Sequence, residues 1–132
     1  MAKRKPTAEV LPVKDEEDQQ PIPTAWRPVF REIVRAFALG DYRLTGGIPG
    51  VAPVSAKTAK QIQEYVEDYG ERLVDLSEKT WASSVCLWSG KEWDVLIDLW
   101  TKREGRSDLV LSARVAETKA GLVIKIDMVY VP

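Results

Sequence analysis

The chain contains no histidine and a single cysteine, Cys86, and these two shortages remove most familiar catalytic chemistry. Without histidine there is no Ser-His-Asp or Cys-His nucleophile and no imidazole general base, and the ligands of an ordinary zinc site are missing. A lone cysteine has no internal partner for a disulfide. Its setting in the apolar run "SSVCLW" reads as a buried small hydrophobe in a reducing compartment. Also absent is any run of the roughly 18 apolar residues that a membrane span requires, and the basic start "MAKRK" is not followed by the apolar stretch of a secretory signal. Net charge is nearly absent too, at −1, and from Thr24 onward acidic and basic residues are equal in number. A nucleic-acid-binding domain carries a basic excess, so no nucleic-acid partner is expected. The remaining expectation is a soluble cytoplasmic protein whose only routes to catalysis run through carboxylates, Lys, Arg, Tyr or a hard oxygen-bound metal.

At 132 residues and 45% hydrophobic content, one domain suffices to bury roughly two thirds of the unfolded surface. Residues 1–23 are polar, contain Pro6, Pro12, Pro21 and Pro23, and show no period, which predicts a disordered tail ahead of a domain at 24–132. In "TAWRPVFREIVRAFALGDY", Trp26, Val29, Phe30, Ile33, Val34 and Phe37 fall on one helical face, with Thr24 as N-cap candidate and Gly40 as stop. "RLTGGIPGVAPVS" is a loop. Ser55 caps a second helix on which Ile62, Tyr65, Val66, Tyr69, Leu73 and Leu76 repeat. Gly70 either ends this helix or sits within it at a cost of about 1 kcal/mol, and the periodicity favours continuation.

After Thr80 the apolar period shortens from helical to alternating, predicting strands that flank turns at Ser89-Gly90-Lys91 and at Lys119-Ala120-Gly121. The expected fold class is α+β, with two helices packed on one face of a four-stranded antiparallel meander. Closing the last hairpin on Ala120-Gly121 pairs Val115 with Ile126, Ala113 with Met128 and Leu111 with Tyr130 on the core face. On the other face it sets Arg114 opposite Asp127.

Alternation along "EWDVLIDLWT" places Trp93, Val95, Ile97 and Leu99 on one side and Asp94, Leu96, Asp98 and Trp100 on the other. Roughly 13 Å separates the Cα atoms of Asp94 and Asp98 on such a strand, against the roughly 5 to 9.5 Å between the carboxyls of a glycosidase acid pair. The two aspartates are therefore read as part of a mixed outer sheet face together with Arg114 and Asp127, with Val110, Val123, Val129 and Val131 alternating onto the same side. Such a face suits a protein interface with Trp100 as anchor. The competing reading curls the sheet and tucks these valines under loops or the tail. Asp98, Glu117 and Lys119 mimic the D…ExK set of magnesium-dependent nucleases, although Lys119 falls in a predicted turn. A basic stripe, Arg27, Arg31 and Arg35, is read as an exposed helix face answered by Glu64, Glu67, Asp68 and Glu71. "GGIPG" lacks the Gly-Lys-Ser/Thr of a phosphate loop.

The segments "AWRPVFREIV", "GDYRL", "DYGERL", "WDVLIDLWT" and "EGRSDLVLS" resemble an uncharacterised family of small bacterial proteins of unknown function, from Trp26 to Pro132. The resemblance implies a bacterial, soluble origin and says nothing about catalytic residues. In size the chain is also similar to immunity proteins that neutralise toxins, with no shared motif. The expectation is non-enzymatic protein binding, immunity-like or accessory, to a basic partner through Asp94, Leu96, Asp98, Trp100, Arg114 and Asp127, with no metal or cofactor. A magnesium-dependent phosphodiesterase and a homodimer joined through the same face are the alternatives.

Overall fold

Pro28 lacks a backbone N–H, so a helix can carry it only in its first turn. In the computed structural model, which describes residues 11–132, a 3₁₀ turn at Thr24–Trp26 feeds α1, Arg27–Ala38, and Pro28 lies in that first turn. No side chain caps this start. The Trp26 N–H instead donates to the Pro23 carbonyl at 2.9 Å, a local turn doing what Thr24 was expected to do. Helix α2 spans Ala56–Tyr69, and the Ser55 hydroxyl accepts from the Thr58 N–H at 3.1 Å as the sequence implies. It ends at Gly70, which takes φ +83°, and does not continue to Leu76. A left-handed glycine is a low-energy stop because no Cβ opposes it. Leu73 and Leu76 still reach the core, from an extended segment. It runs beside the third strand, with Val74 N–H donating to Trp100 O at 3.0 Å and Lys102 N–H to Arg72 O at 2.9 Å.

Among the described residues the sheet has five strands in the order β1 to β5, each antiparallel to its neighbour: β1 Gln20–Pro21, β2 Val85–Trp88, β3 Trp93–Thr101, β4 Gly105–Thr118 and β5 Gly121–Tyr130. The expected meander is therefore one strand short. The added strand holds a proline, which a sheet accepts at its edge. Gln20 and Pro21 pair with Cys86 and Val85, and Ile22, which follows them, is completely buried. The core thus draws on residues ahead of Thr24. Leu11 packs against it, and Lys14 reaches over the Trp88 ring at 4.9 Å and pairs with Glu117 at 2.7 Å. Residues 1–10 of the tail expected to be disordered lie outside the described residues.

Both helices lie against one face. Phe30, Ile33, Val34 and Phe37 of α1 and Ala59, Ile62 and Val66 of α2 are buried, as are Trp93, Val95, Ile97 and Leu99 of β3 and Leu109, Leu111, Ala113 and Val115 of β4. The expected phase of β3 holds. Cys86 is buried among these side chains, and loss of solvent pushes its thiol pKa up to about 11, so it is protonated at neutral pH.

The register of the last hairpin differs from expectation. Its loop is Lys119-Ala120, because the Thr118 hydroxyl donates to Gly121 O at 2.6 Å and accepts from Ala120 N–H at 3.2 Å, closing the turn earlier. Val115 therefore faces Ile124, Ala113 faces Ile126 and Arg114 faces Lys125. A shift between Ser112 and Ala113 then gives β5 one extra residue, Asp127, and beyond it Leu111 faces Val129. The bulge reverses the phase of β5. Val129, expected outside, is fully buried, while Met128, expected in the core, is 40% exposed.

Replacing Ile22 by Ala is expected to cost about 2 to 5 kcal/mol by the usual penalty for emptying a core position. The change Val13→Ala, at a residue 63% exposed, should stay within about 0.5 kcal/mol. Urea unfolding followed by tryptophan fluorescence separates the two, and an Ile22→Ala variant as stable as wild type would show that the fold begins later.

Candidate binding face

Pairing across β2 to β5 sorts the outer face into rows: Leu87, Asp94, Arg114, Lys125; then Val85, Leu96, Ser112, Met128; then Asp98, Val110, Tyr130. The second row is largely apolar, the third mixes Asp98 with Val110 and Tyr130, and the first is largely charged. Leu96 is half-buried, Met128 exposed and Val110 buried. None of the hydrogen bonds or ion pairs of residues 11–19 reaches this face: Lys14 meets Trp88 and Glu117, and the carboxylate of Glu16 lies beside Gly90.

Arg114 organises the charged row. Its Nε donates to both carboxylate oxygens of Asp127 at 3.0 and 3.1 Å, and Nη1 donates to Glu92 at 3.2 Å. Hydrogen bonding and charge from Asp127, then from Glu92, raise the guanidinium pKa further, so it is permanently charged. The pairing of Arg114 with Asp127 exists as expected, but diagonally. The residue directly opposite is Lys125, a like charge, and the bulge at Asp127 is what brings a carboxylate across to offset it. Glu92 and Asp127 together outweigh Arg114, and Asp94 adds a further negative charge directly across the strand pair. The carboxyl of Asp94 is accordingly raised above its ordinary pKa, first by loss of solvent, then by Glu92 and Asp127, with Arg114 pulling the other way. This corner of the sheet holds an excess of negative charge beside Leu96.

The other expected members behave differently. Asp98 is engaged internally: its side chain accepts from the Ser83 hydroxyl, its N–H donates to Ser84 Oγ at 3.0 Å and its carbonyl accepts from the Thr80 hydroxyl at 2.6 Å. It anchors the Glu78–Ala82 turn to β3. Trp100 does not project as an anchor; its ring lies against Gly105, half-buried, with its Nε1 buried and without a hydrogen-bond partner among the described residues. The exposed apolar contribution comes from Met128, which alternation had placed inside, and the acidic contribution of Glu92 was not foreseen at all. Nothing in the local sequence marks the bulge that exposes Met128.

Asp98, Glu117 and Lys119 are not brought together. Asp98 faces Val110, and Glu117 lies seven residues further along β4, which is roughly 23 Å at strand rise. Glu117 pairs with Lys14, and Lys119 sits in the turn. Among the described residues, no group of three or more acidic or cysteine side chains is arranged to hold a metal ion. The arginine stripe of α1 is answered by the segment after α2 and not by α2 itself: Arg31 pairs with Glu78, Arg35 with Asp75 at 3.1 Å, and Arg27 stacks over the Trp81 ring at 5.3 Å. These contacts tie down the 75–81 connection and leave no free basic patch there.

Fold and face together describe a small α+β domain with helices on one side of its sheet and a mixed, acid-rich surface on the other. The chain belongs to the family described as Domain of unknown function (DUF7668), whose model matches residues 34–132. The match begins inside α1, so Ile22, Trp26, Phe30 and Ile33 add core beyond the matched part. Nothing among curated proteins or solved structures matches the chain. Among the described residues, no helix is long and apolar enough to cross a membrane.

Because the folded state takes solvent from Asp94 and sets it near Glu92 and Asp127, its ionisation costs stability above the unfolded carboxyl pKa and costs nothing well below it. Asp94→Asn is thus expected to raise the urea midpoint slightly at pH 7, with the gain fading as pH falls towards 3. An unchanged or lowered midpoint at pH 7 would contradict the crowding of charge described here.

Proposed function

We propose that this is a non-enzymatic protein-binding domain that receives a basic partner on the outer face of its sheet, around Asp94, Leu96, Arg114 and Asp127. The observation that carries the reading is the grouping of three carboxylates, Glu92, Asp94 and Asp127, around the already engaged Arg114, next to the half-buried Leu96 and exposed Met128. A lysine or arginine arriving there relieves the repulsion, and apolar contact with Leu96 and Met128 adds the desolvated centre that affinity needs. Asp98 and Trp100 lie further along the same side, engaged by Ser83 and by the approach of Gly105. A bacterial, cytoplasmic protein with an immunity-like or accessory role against a basic toxin domain is the finer form of this proposal. The buried, protonated cysteine and the small self-contained fold agree with it. Self-association through the same face is the competing form. The phosphodiesterase reading has no support in the positions of Asp98, Glu117 and Lys119.

A displayed peptide library selected on the immobilised protein tests the proposal. Binders are expected to combine Arg or Lys with apolar residues and to weaken as salt rises. They should lose at least about tenfold affinity, about 1.4 kcal/mol, against a Leu96→Asp, Asp94→Lys variant whose circular dichroism is unchanged. Binders indifferent to those changes would overturn the assignment of the face, and a concentration-dependent dimer abolished by Leu96→Asp would replace the basic partner with a second copy.

A further inference from the structure

The outer edge of a sheet's last strand offers a row of backbone groups for pairing, and β5 is the last strand of this sheet among the described residues. Its first half is closed by main chain: Ile124 N–H donates to Gly50 O at 2.8 Å, and Ile124 O accepts from Ala52 N–H at 2.9 Å. The second half is closed by side chains of α2. Gln61 Nε2 donates to Val129 O at 2.8 Å while Gln61 Oε1 accepts from Val129 N–H at 3.3 Å, and the Tyr65 hydroxyl accepts from Val131 N–H at 3.3 Å. A glutamine amide presents one donor face and one acceptor, as a peptide group does, so Gln61 stands where one residue of a sixth strand would pair.

We propose that the second half of β5 is a latent strand-pairing edge which Gln61 holds shut, and that the partner it fits is the same edge of a second copy of this chain. An edge paired with itself about a two-fold axis is automatically complementary. The row Val85, Leu96, Ser112, Met128 ends at this edge, with Met128 40% exposed, so a second β5 would continue a largely apolar row that otherwise stops in water. Alternation turns the Ile126 backbone outward between the two guarded stretches, which extends the surface on offer once the glutamine is gone. This inference rests on backbone hydrogen bonding; it shares Leu96 and Met128 with the face proposed above but needs none of its charged side chains.

Gln61→Leu removes both hydrogen bonds and keeps the side-chain bulk. The Val129 amide is expected to exchange at least tenfold faster, and the variant should form a dimer at concentrations where the wild-type chain does not, by sedimentation equilibrium. Adding Met128→Lys should return it to the wild-type mass, since a lysine at an edge opposes pairing. Gln61→Glu supplies an independent reading. Above the usual glutamate pKa of about 4.3 the carboxylate accepts from Val129 N–H but repels Val129 O, and below it the protonated acid restores donor and acceptor together. Its dimer is therefore expected at pH 7 and lost near pH 4, with the wild-type mass constant across the range. If Gln61 were only a tether for α2, both variants would lose stability without associating. That outcome overturns the proposal, as does a wild-type-like mass and Val129 protection in Gln61→Glu at pH 7, which decides the matter should the leucine variant fail to fold.

Discussion

Strand alternation against a buried face is the constraint on which the rest of this molecule depends. Trp93 meets Trp26 edge to face at 5.7 Å, and Val95, Ile97 and Leu99 follow it into the core without measurable exposure. A one-residue slip of β3 would carry all four into water and drive Asp94 and Asp98 into the apolar layer, where an unpaired carboxylate is prohibitively expensive. With β3 held in this way, its neighbours inherit its phase through the register, and the outer face becomes a consequence of the core.

The bulge at Asp127 is the one place where that inheritance breaks, and it has consequences on both sides of the sheet. Inward, it lets Val129 close the core beneath α2. Outward, it presents Met128 and swings a carboxylate over to Arg114, whose partner across β5 is Lys125. The same extra residue also places the Val129 backbone where Gln61 can pair with it. Edge protection, the charged row and the exposed apolar row thus share a single irregularity in β5.

Charge on the outer face is arranged against the stability of the free protein. Arg114 is saturated by Asp127 and Glu92, so Asp94 is left with more repulsion than attraction. On the other side of the molecule, by contrast, the arginines of α1 each find a partner in the 75–81 connection or the chain before α1. On the outer face, the excess of negative charge gathers at the corner around Asp94, where Glu92 and Asp127 are already engaged by Arg114.

What the sequence determined by itself is what short-range periodicity and local chemistry control. The apolar spacing in 26–37 and the Ser55 cap specify α1 and the start of α2. The alternation in 93–99 specifies which way β3 faces, because each depends on neighbours a few residues away. The absence of histidine and the isolation of Cys86 likewise constrain chemistry without any fold. Tertiary structure alone decided the rest. Gln20–Pro21 becomes a strand only because the open edge of β2 lies beside it, and two residues carry no period of their own. The bulge at Asp127 set the phase of the second half of β5, where Val129 is buried against elements far away in the chain, whereas the turn itself is closed locally by the Thr118 hydroxyl. For the same reason Asp98 and Trp100 were legible as outward-facing but not as occupied: hydrogen bonds from Ser83, Ser84 and Thr80, and the approach of Gly105, arise from segments whose positions only the folded chain brings together.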